Sequence, residues 1–223
     1  MKRFLLFILG MVMVGLLMAQ ELNLAVSYKY LWANQWDKAI QTYNFSRPFL
    51  EKKQPLLAHG INTAASYLFK STKKIKHGMQ LSHAYFRSVA ENENFHNQFN
   101  AHLLNLGYLL RYQHPERFKK MYADVIISAT ASALFRKVNG VFVENDGNKV
   151  RAYGIGGAVM LKFGYQVKLT NNINLSPMVA VGYTPYLYSP NAEVVINQTK
   201  GLATKNFTGI VTGQVGVAMH IHH

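Results

Sequence analysis

The sequence predicts an all-β chain folded as one antiparallel up-and-down β-barrel of eight strands. Apolar and polar residues alternate with a period of two along segments of about ten residues, and such segments recur along the whole chain. The stretches between the segments are alternately short and long. A helix would require apolar spacings of three and four, which these segments do not show.

Composition limits the classes of function that fit this chain. Apolar residues make up 49% of the 223 residues and charged residues only 15%, whereas charged residues are roughly a quarter of a soluble domain. The chain has no cysteine, which excludes disulfides, thiolate catalysis, thiolate metal sites and a lipidated N-terminal cysteine. The formal net charge of +14 indicates an anionic neighbour: nucleic acid, an acidic protein or lipid phosphate.

The N-terminus has the pattern of a secretory signal peptide. Two basic residues precede an apolar run over residues 4–17, and Ala19 is a small residue at the expected cleavage position. We therefore predict a signal peptide over residues 1–19 and an outer-membrane barrel domain over residues 20–223. The apolar run is shorter than the roughly 20 residues of a spanning helix, which argues against an uncleaved anchor. Export argues against nucleic acid as the partner. No later stretch suits a membrane helix, so a membrane protein of this sequence has to be a barrel.

The predicted strands differ in how clearly they alternate. Along residues 207–222 every odd position is apolar or glycine, and most even positions are polar or small. The segment 75–89 is the weakest, because either His77 and His83 or Phe86 must lie on an unexpected face. It is counted as a strand because its flanks require one. In chain order the strands are predicted over residues 22–32, 61–70, 75–89, 103–112, 121–135, 152–169, 173–184 and 207–222.

The predicted connections alternate in length, as an up-and-down barrel with both termini in the periplasm requires. The short ones are residues 71–74, 114–119 and 170–172. The longer ones are residues 33–60, 89–98, 137–151 and 186–205. The face that carries Gly154, Gly156, Lys162 and Gly164 fits the lumen of a narrow barrel better than a water-facing exterior. The prediction is therefore an eight-stranded transmembrane β-barrel of the bacterial outer membrane.

With its export signal, alternation and loop asymmetry, the chain resembles the small eight-stranded outer-membrane barrels of the OmpA, OmpX and OmpW type. The resemblance covers residues 20–223, is architectural, and carries over no site residues. Residues 36–48 are similar to a first outer loop in small barrels of Bacteroidota. One departure is the C-terminus. Those barrels usually end in an aromatic residue that the assembly machinery reads, whereas this chain ends in two histidines.

Charged residues on the predicted inner face are expected to form a network inside the lumen. An eight-stranded barrel encloses a space just wide enough for side chains to fill, and we expect Asp124 to pair with a lysine or arginine. The predicted network comprises Lys29, Arg111, Lys120, Asp124, Lys162 and Lys168. A filled lumen argues against conduction, and a narrow channel stays as an alternative.

Basic residues in or beside the long loops are expected to contact lipopolysaccharide phosphates through charge-assisted hydrogen bonds, with plain solvated loops as the alternative. They are Lys38, Arg47, Lys52, Lys53, Lys149 and Arg151, with Arg136, Lys137, Lys200 and Lys205 beside them. The first long loop is also more apolar than a free loop should be, which indicates packing over the barrel or against a partner. The candidate partner-binding residues are Trp36, Tyr43, Phe45 and Phe49.

Two sequence patterns are candidates for a metal site and for a catalytic site. His220 and His222 share a strand face, but His223 does not and no carboxylate accompanies them. We interpret them as a polar periplasmic rim or a remnant of cloning rather than a metal site. A lipid A-modifying deacylase or acyltransferase would require a histidine, a serine and an acid to converge. Ser82 and His83 are adjacent in a strand, so their side chains point to opposite faces.

The leading hypothesis is a non-enzymatic barrel that acts as a structural or interaction subunit of the envelope, within an assembly or secretion complex. It requires no cofactor and no metal. The expected partners are outer-membrane lipid, lipopolysaccharide and other envelope proteins, and not nucleic acid. The lipid A-modifying enzyme and the narrow channel are the alternatives.

Overall fold

The fold comes from a computed structural model, which describes residues 19–48, 52–69, 74–92, 95–113, 120–142, 144–145, 148–149, 151–190, 192–197 and 206–222. The long strands are β1 (Ala19–Ala33), β2 (His59–Phe69), β3 (Ile75–Asn92), β4 (Phe95–Tyr112), β5 (Met121–Val138), β6 (Arg151–Tyr165), β7 (Ile173–Tyr188) and β8 (Phe207–His222). The helices are α1 (Asn34–Phe45) and α2 (Ala192–Asn197). The signal-peptide prediction falls on residues 1–19, of which residues 1–18 lie outside the described residues.

The eight long strands form one closed antiparallel barrel. Each strand pairs with the next in the chain, and β8 pairs with β1 over a continuous register that runs from Glu21↔His222 to Ala33↔Ile210. Closure leaves no unpaired strand edge, the condition for a sheet to cross a bilayer. The predicted fold class is confirmed.

Side chains alternate between the inside and the outside of the barrel, with one interruption in β7 where the register shifts between Thr184 and Leu187. On β1, Val26 and Tyr28 are exposed whereas Ser27 and Lys29 are buried. The exposed face carries large apolar side chains on all eight strands. A continuous apolar exterior of this kind is unfavourable in water and favourable against lipid chains. The outer face is therefore the membrane-facing one.

The connections differ from the predicted loops in three places. Residues 33–60 contain α1, because Trp36, Ile40 and Tyr43 recur at helical spacing and all point inward. Residues 186–205 contain α2. The predicted long connection 89–98 is reduced to residues 93–94, since β3 and β4 continue to pair up to Asn92↔Phe95. In the described part of the chain, no helix has the length and hydropathy needed to span a membrane.

The barrel interior has two halves of different character. We call the end that carries α1 and α2 the helical end, and the end that carries Ala19 and His222 the terminal end. At the helical end, both helices pack against inward apolar side chains of the strands, such as Phe86, Phe99 and Leu134. At the terminal end, the interior is lined by buried charged and amide side chains.

Candidate functional site

A buried ionic network crosses the interior at the terminal end. We define it as Glu21, Lys76, Arg111, Asp124, Lys162 and His220. The Arg111 side chain is fully buried and donates two parallel hydrogen bonds to Asp124, from Nε to Oδ1 at 2.7 Å and from Nη2 to Oδ2 at 2.9 Å. Its Nη1 donates to Glu21, and its guanidinium lies 4.1 Å from the centre of the Tyr122 ring. A planar guanidinium can satisfy two carboxylates and stack on a ring at once, which an ammonium cannot do.

Each carboxylate of this network has a second cation. The Lys162 ammonium lies 2.8 Å from Asp124 Oδ2 and donates a hydrogen bond to Gln80 Oε1 at 3.3 Å. The Lys76 ammonium lies 3.2 Å from Glu21 Oε2. Glu21 Oε1 also lies 2.8 Å from Nδ1 of His220. Because Glu21 is on β1 and His220 on β8, this contact joins the two strands that close the barrel.

The structure brings together Arg111, Asp124 and Lys162 of the predicted lumen residues. Lys29 is also buried, and no described side chain hydrogen-bonds or pairs with its ammonium. Lys120 and Lys168 are exposed, so their placement in the lumen was wrong. Lys120 immediately precedes β5 and Lys168 follows β6, at the rim where a long side chain reaches water.

Glu21 and His220 are the network residues that the sequence analysis missed. Glu21 precedes residue 22, where the first strand was predicted to start. The interpretation of His220 as a rim residue or cloning remnant was wrong, because its side chain is fully buried on Glu21. The inward face of β8 was itself a sufficient signal, since His220 shares it with Gln214. His222 contacts the Asn174 side chain at 3.0 Å, and His223 lies outside the described residues.

The two helices close the interior at the helical end, and we call them the plug. Trp36, Ile40 and Tyr43 of α1 and Val195 and Ile196 of α2 are buried. They pack in one apolar cluster with inward side chains of the strands. The plug therefore occupies the half of the lumen that the ionic network leaves free.

Arg136 on β5 donates hydrogen bonds to both helices of the plug and to the barrel wall. Its Nη2 donates to the hydroxyl of Tyr43 at 3.1 Å, its Nη1 to the carbonyl of Ile196 at 3.3 Å, and its Nε to Oδ1 of Asn97 at 2.6 Å. The prediction that Arg136 belongs to the outer basic surface was wrong, because its position on β5 directs the side chain inward.

The predicted partner-binding residues separate in the structure. Trp36 and Tyr43 are buried, because the first loop packs its apolar side chains into the barrel. These two residues are therefore not available to a partner. Phe45, at the end of α1, is 90% exposed. Phe49 lies outside the described residues.

Most of the predicted outer basic residues are exposed at the helical end. Lys38, Lys52, Lys53 and Arg151 are exposed. Arg47 is half-buried, with its guanidinium 4.0 Å from the centre of the Tyr43 ring. Lys137 is half-buried, with its ammonium 4.6 Å from the centre of the Phe142 ring. The Lys149 side chain, Lys200 and Lys205 lie outside the described residues.

Four histidines on β3 and β4, among them the His83 that adjoins Ser82, contact other groups. His77 lies 2.5 Å from the hydroxyl of Tyr108, and His83 lies 3.0 Å from His102. His96 pairs with Glu91 at 2.8 Å. For these four histidines, no described hydrogen bond or ion pair adds both a serine and a carboxylate. Within the described ranges, no group of three or more histidine or acidic side chains is arranged to hold a metal ion.

Comparisons with known proteins match the chain to solved structures at low identity. No protein-family model and no curated protein sequence matches the chain. Neisserial surface protein A matches with 9% identity and a TM-score of 0.48, covering 91% of this chain and 96% of that one. Ail of Yersinia pestis, in complex with the heparin analogue sucrose octasulfate, matches with 10% identity and a TM-score of 0.48, covering 92% and 100%. OprG from Pseudomonas aeruginosa matches with 9% identity and a TM-score of 0.45, covering 92% and 97%.

The fold itself assigns the chain to a structural class. Its eight strands close into a barrel, its exterior is apolar on every strand, and its interior is filled from both ends. A closed sheet with a lipid-compatible outer surface is the architecture by which strands cross the outer membrane of Gram-negative bacteria. The chain is a small eight-stranded outer-membrane β-barrel.

Proposed function

We propose that this barrel is a non-enzymatic structural or interaction protein of the outer membrane whose helical end contacts phosphate groups of lipopolysaccharide. The observation that carries the proposal is the filled interior. The plug occupies the helical half and the ionic network crosses the terminal half. Transport through such a lumen is disfavoured, so function is left to the exposed surface.

The exposed surface of the helical end is basic. We call Lys38, Lys52, Lys53 and Arg151 the basic rim. Of the carboxylates at this end whose side chains are described, Asp37 is buried and Glu91 pairs with His96, so neither neutralises the rim. Ammonium and guanidinium groups bind phosphate oxygens through charge-assisted hydrogen bonds. Lipopolysaccharide carries such phosphates at the outer surface of the membrane, which makes it the ligand that fits.

The lengths of the connections support an outward helical end. At the terminal end the strands are joined by residues 70–74, 113–120 and 166–172. At the helical end residues 34–58, 139–150 and 189–206 make longer connections, although only two residues separate Asn92 of β3 from Phe95 of β4. Outer-membrane barrels have short periplasmic turns and longer extracellular loops. On this basis both termini are periplasmic and the basic rim faces outward.

Lipid binding tests the role of the rim. The wild-type barrel in nanodiscs is titrated with lipid A carrying its phosphates and with dephosphorylated lipid A. Each exposed ion pair contributes roughly 0.2–1 kcal/mol, so changing all four rim residues to glutamine should weaken binding to phosphorylated lipid A by at least about fourfold. It should leave binding to the dephosphorylated lipid unchanged.

The matched control removes cations at the opposite end. Lys74, Lys120 and Lys168 are exposed at the terminal end, and changing all three to glutamine should leave lipid A binding unaltered. The proposal fails if the rim variant binds as the wild type does, or if the terminal-end variant loses binding instead.

The interaction role has its own test. The barrel is purified in mild detergent from its native membrane, and the associated proteins are identified by mass spectrometry. We expect envelope proteins to copurify in a fixed ratio. Isolation only as a lone monomer would contradict a role as a subunit.

A further inference from the structure

Lys29 on β1 is a buried cation with no described counter-charge. Its side chain is 5% exposed and lies between Gln214 of β8 and Gly60 of β2 in the sheet register. No hydrogen bond or ion pair joins its ammonium to any described side chain. Among the described buried carboxylates, Glu21 and Asp124 pair with cations of the ionic network, and Asp37 accepts a hydrogen bond from the backbone N–H of Ala33. An uncompensated ammonium inside a barrel within a bilayer is strongly disfavoured.

A small cavity adjoins Lys29 in the middle of the lumen, between the plug and the ionic network. Its volume is about 30 Å³, roughly the space of two water-sized bodies. The volume suits a chloride-sized ion with a water molecule. Its polar lining comprises Lys29, Gln80, Ser82, Asn105, Ser128, Thr130, Thr184 and Thr212.

The hydrogen bonds of this lining leave several donors available. Gln80 Oε1 accepts from Lys162, so the Gln80 amide N–H groups remain to donate. Ser82 Oγ accepts from Asn105 at 3.2 Å, so the Ser82 hydroxyl hydrogen remains to donate. Asn105 Oδ1 already accepts from the Thr130 hydroxyl at 2.7 Å. An anion would therefore find an ammonium, a hydroxyl and an amide as donors here.

We propose that this cavity is a binding site for one chloride-sized monovalent anion, with Lys29 Nζ as the principal donor. The anion compensates the Lys29 charge and joins β1 to β3 through Ser82 and Gln80. This site lies inside the barrel, so it is independent of the proposed role of the basic rim.

Bromide provides a direct test, because it substitutes for chloride and scatters anomalously. Crystals of the full barrel grown in sodium bromide should show an anomalous peak in the cavity, within hydrogen-bonding reach of Lys29 Nζ. Crystals of Lys29→Met grown in the same way should lack that peak. The proposal is overturned if the wild-type cavity holds only water, or if the peak persists in Lys29→Met.

Unfolding equilibria give a second test in solution. Urea unfolding is followed in detergent at constant ionic strength while bromide replaces sulfate. For a site that only the folded state offers, each tenfold rise in bromide above the dissociation constant lowers the unfolding constant by about tenfold. Lys168→Met removes an exposed charge and should keep this dependence.

Lys29→Met should lose the bromide dependence. Methionine has a similar volume and removes the unpaired charge, so this variant should fold in the absence of halide. Lys29→Gln serves if the methionine variant does not accumulate. A bromide dependence in the Lys29 variants equal to that of the wild type would overturn the proposal.

Discussion

Replacing Arg111 by methionine should cost this barrel a large part of its stability. The residue is fully buried, donates twice to Asp124 and once to Glu21, and stacks on Tyr122. Methionine fills much of the same space but leaves two buried carboxylates with fewer cations. Removing one partner of a buried ion pair typically costs about 3–5 kcal/mol, because the remaining charge stays desolvated.

The neighbouring cations reduce this cost. Lys162 stays 2.8 Å from Asp124, and Lys76 stays 3.2 Å from Glu21. We therefore expect the lower end of the range, about 3 kcal/mol. This corresponds to a rise of about two orders of magnitude in the unfolding constant.

Tryptophan fluorescence during urea unfolding in detergent measures this change. The chain has two tryptophans, with Trp32 on the lipid face of β1 and Trp36 buried in the plug. Lys168→Met, which removes an exposed charge, should shift stability by less than about 0.5 kcal/mol. If Arg111→Met loses less than about 1 kcal/mol, the network does not hold the terminal half together as its geometry indicates.

Three further perturbations follow from the plug and the interior. Arg136→Met removes one hydrogen bond from each helix. Two such bonds at roughly 0.5–1.5 kcal/mol each stabilise the plug by at least about 1 kcal/mol, so tryptic cleavage after the exposed Lys52 and Lys53 should accelerate at least about fivefold. An unchanged cleavage rate would contradict the role of Arg136 in holding the plug. Burial raises the pKa of Asp37, although the N–H of Ala33 donating to Oδ2 opposes this. Because its folded pKa lies above its unfolded value, the stabilising contribution of Asp37 is complete below the unfolded pKa and is lost as pH rises through the folded pKa. Asp37→Asn should remove this pH-dependent loss of stability. Unfolding midpoints of the wild type and the variant from about pH 3 to about pH 7 would measure the difference. Identical pH profiles of the two proteins would refute the contribution of Asp37. His220→Ala breaks the contact that joins β1 to β8 and leaves Glu21 with Arg111 and Lys76. The heat-modifiable shift in gel mobility should therefore occur at a lower temperature than in the wild type. An unchanged temperature would contradict a role of His220 in closing the barrel.

The strands were predictable because their period is a local property. Alternation over residues 207–222 assigns each side chain to one face without knowledge of any partner, and the structure keeps that assignment. The same pattern was sufficient for Arg111, Asp124 and Lys162. It failed for Lys120 and Lys168. At the end of a strand, the alternation no longer determines the direction of a side chain, and a long side chain can turn to water.

Contacts between strands that lie far apart in the sequence were not predictable from alternation. Glu21 and His220 are 199 residues apart, and their meeting depends on the stagger of the closed barrel, which the period of a single strand does not encode. Packing of the first loop over the barrel was one of two expectations, but its helix α1 was not predicted. Trp36, Ile40 and Tyr43 have the helical spacing that would have indicated it.

Planar-bilayer recording of the reconstituted wild-type barrel tests most directly whether the interior is filled by the plug and the ionic network. Insertion is verified in the same sample by heat-modifiable gel mobility, and an open porin serves as the positive control. A filled interior gives no resolved current steps from verified, folded barrels. Stable, reproducible conductance steps would show an open path through the lumen and would contradict the filled interior from which the surface role is proposed.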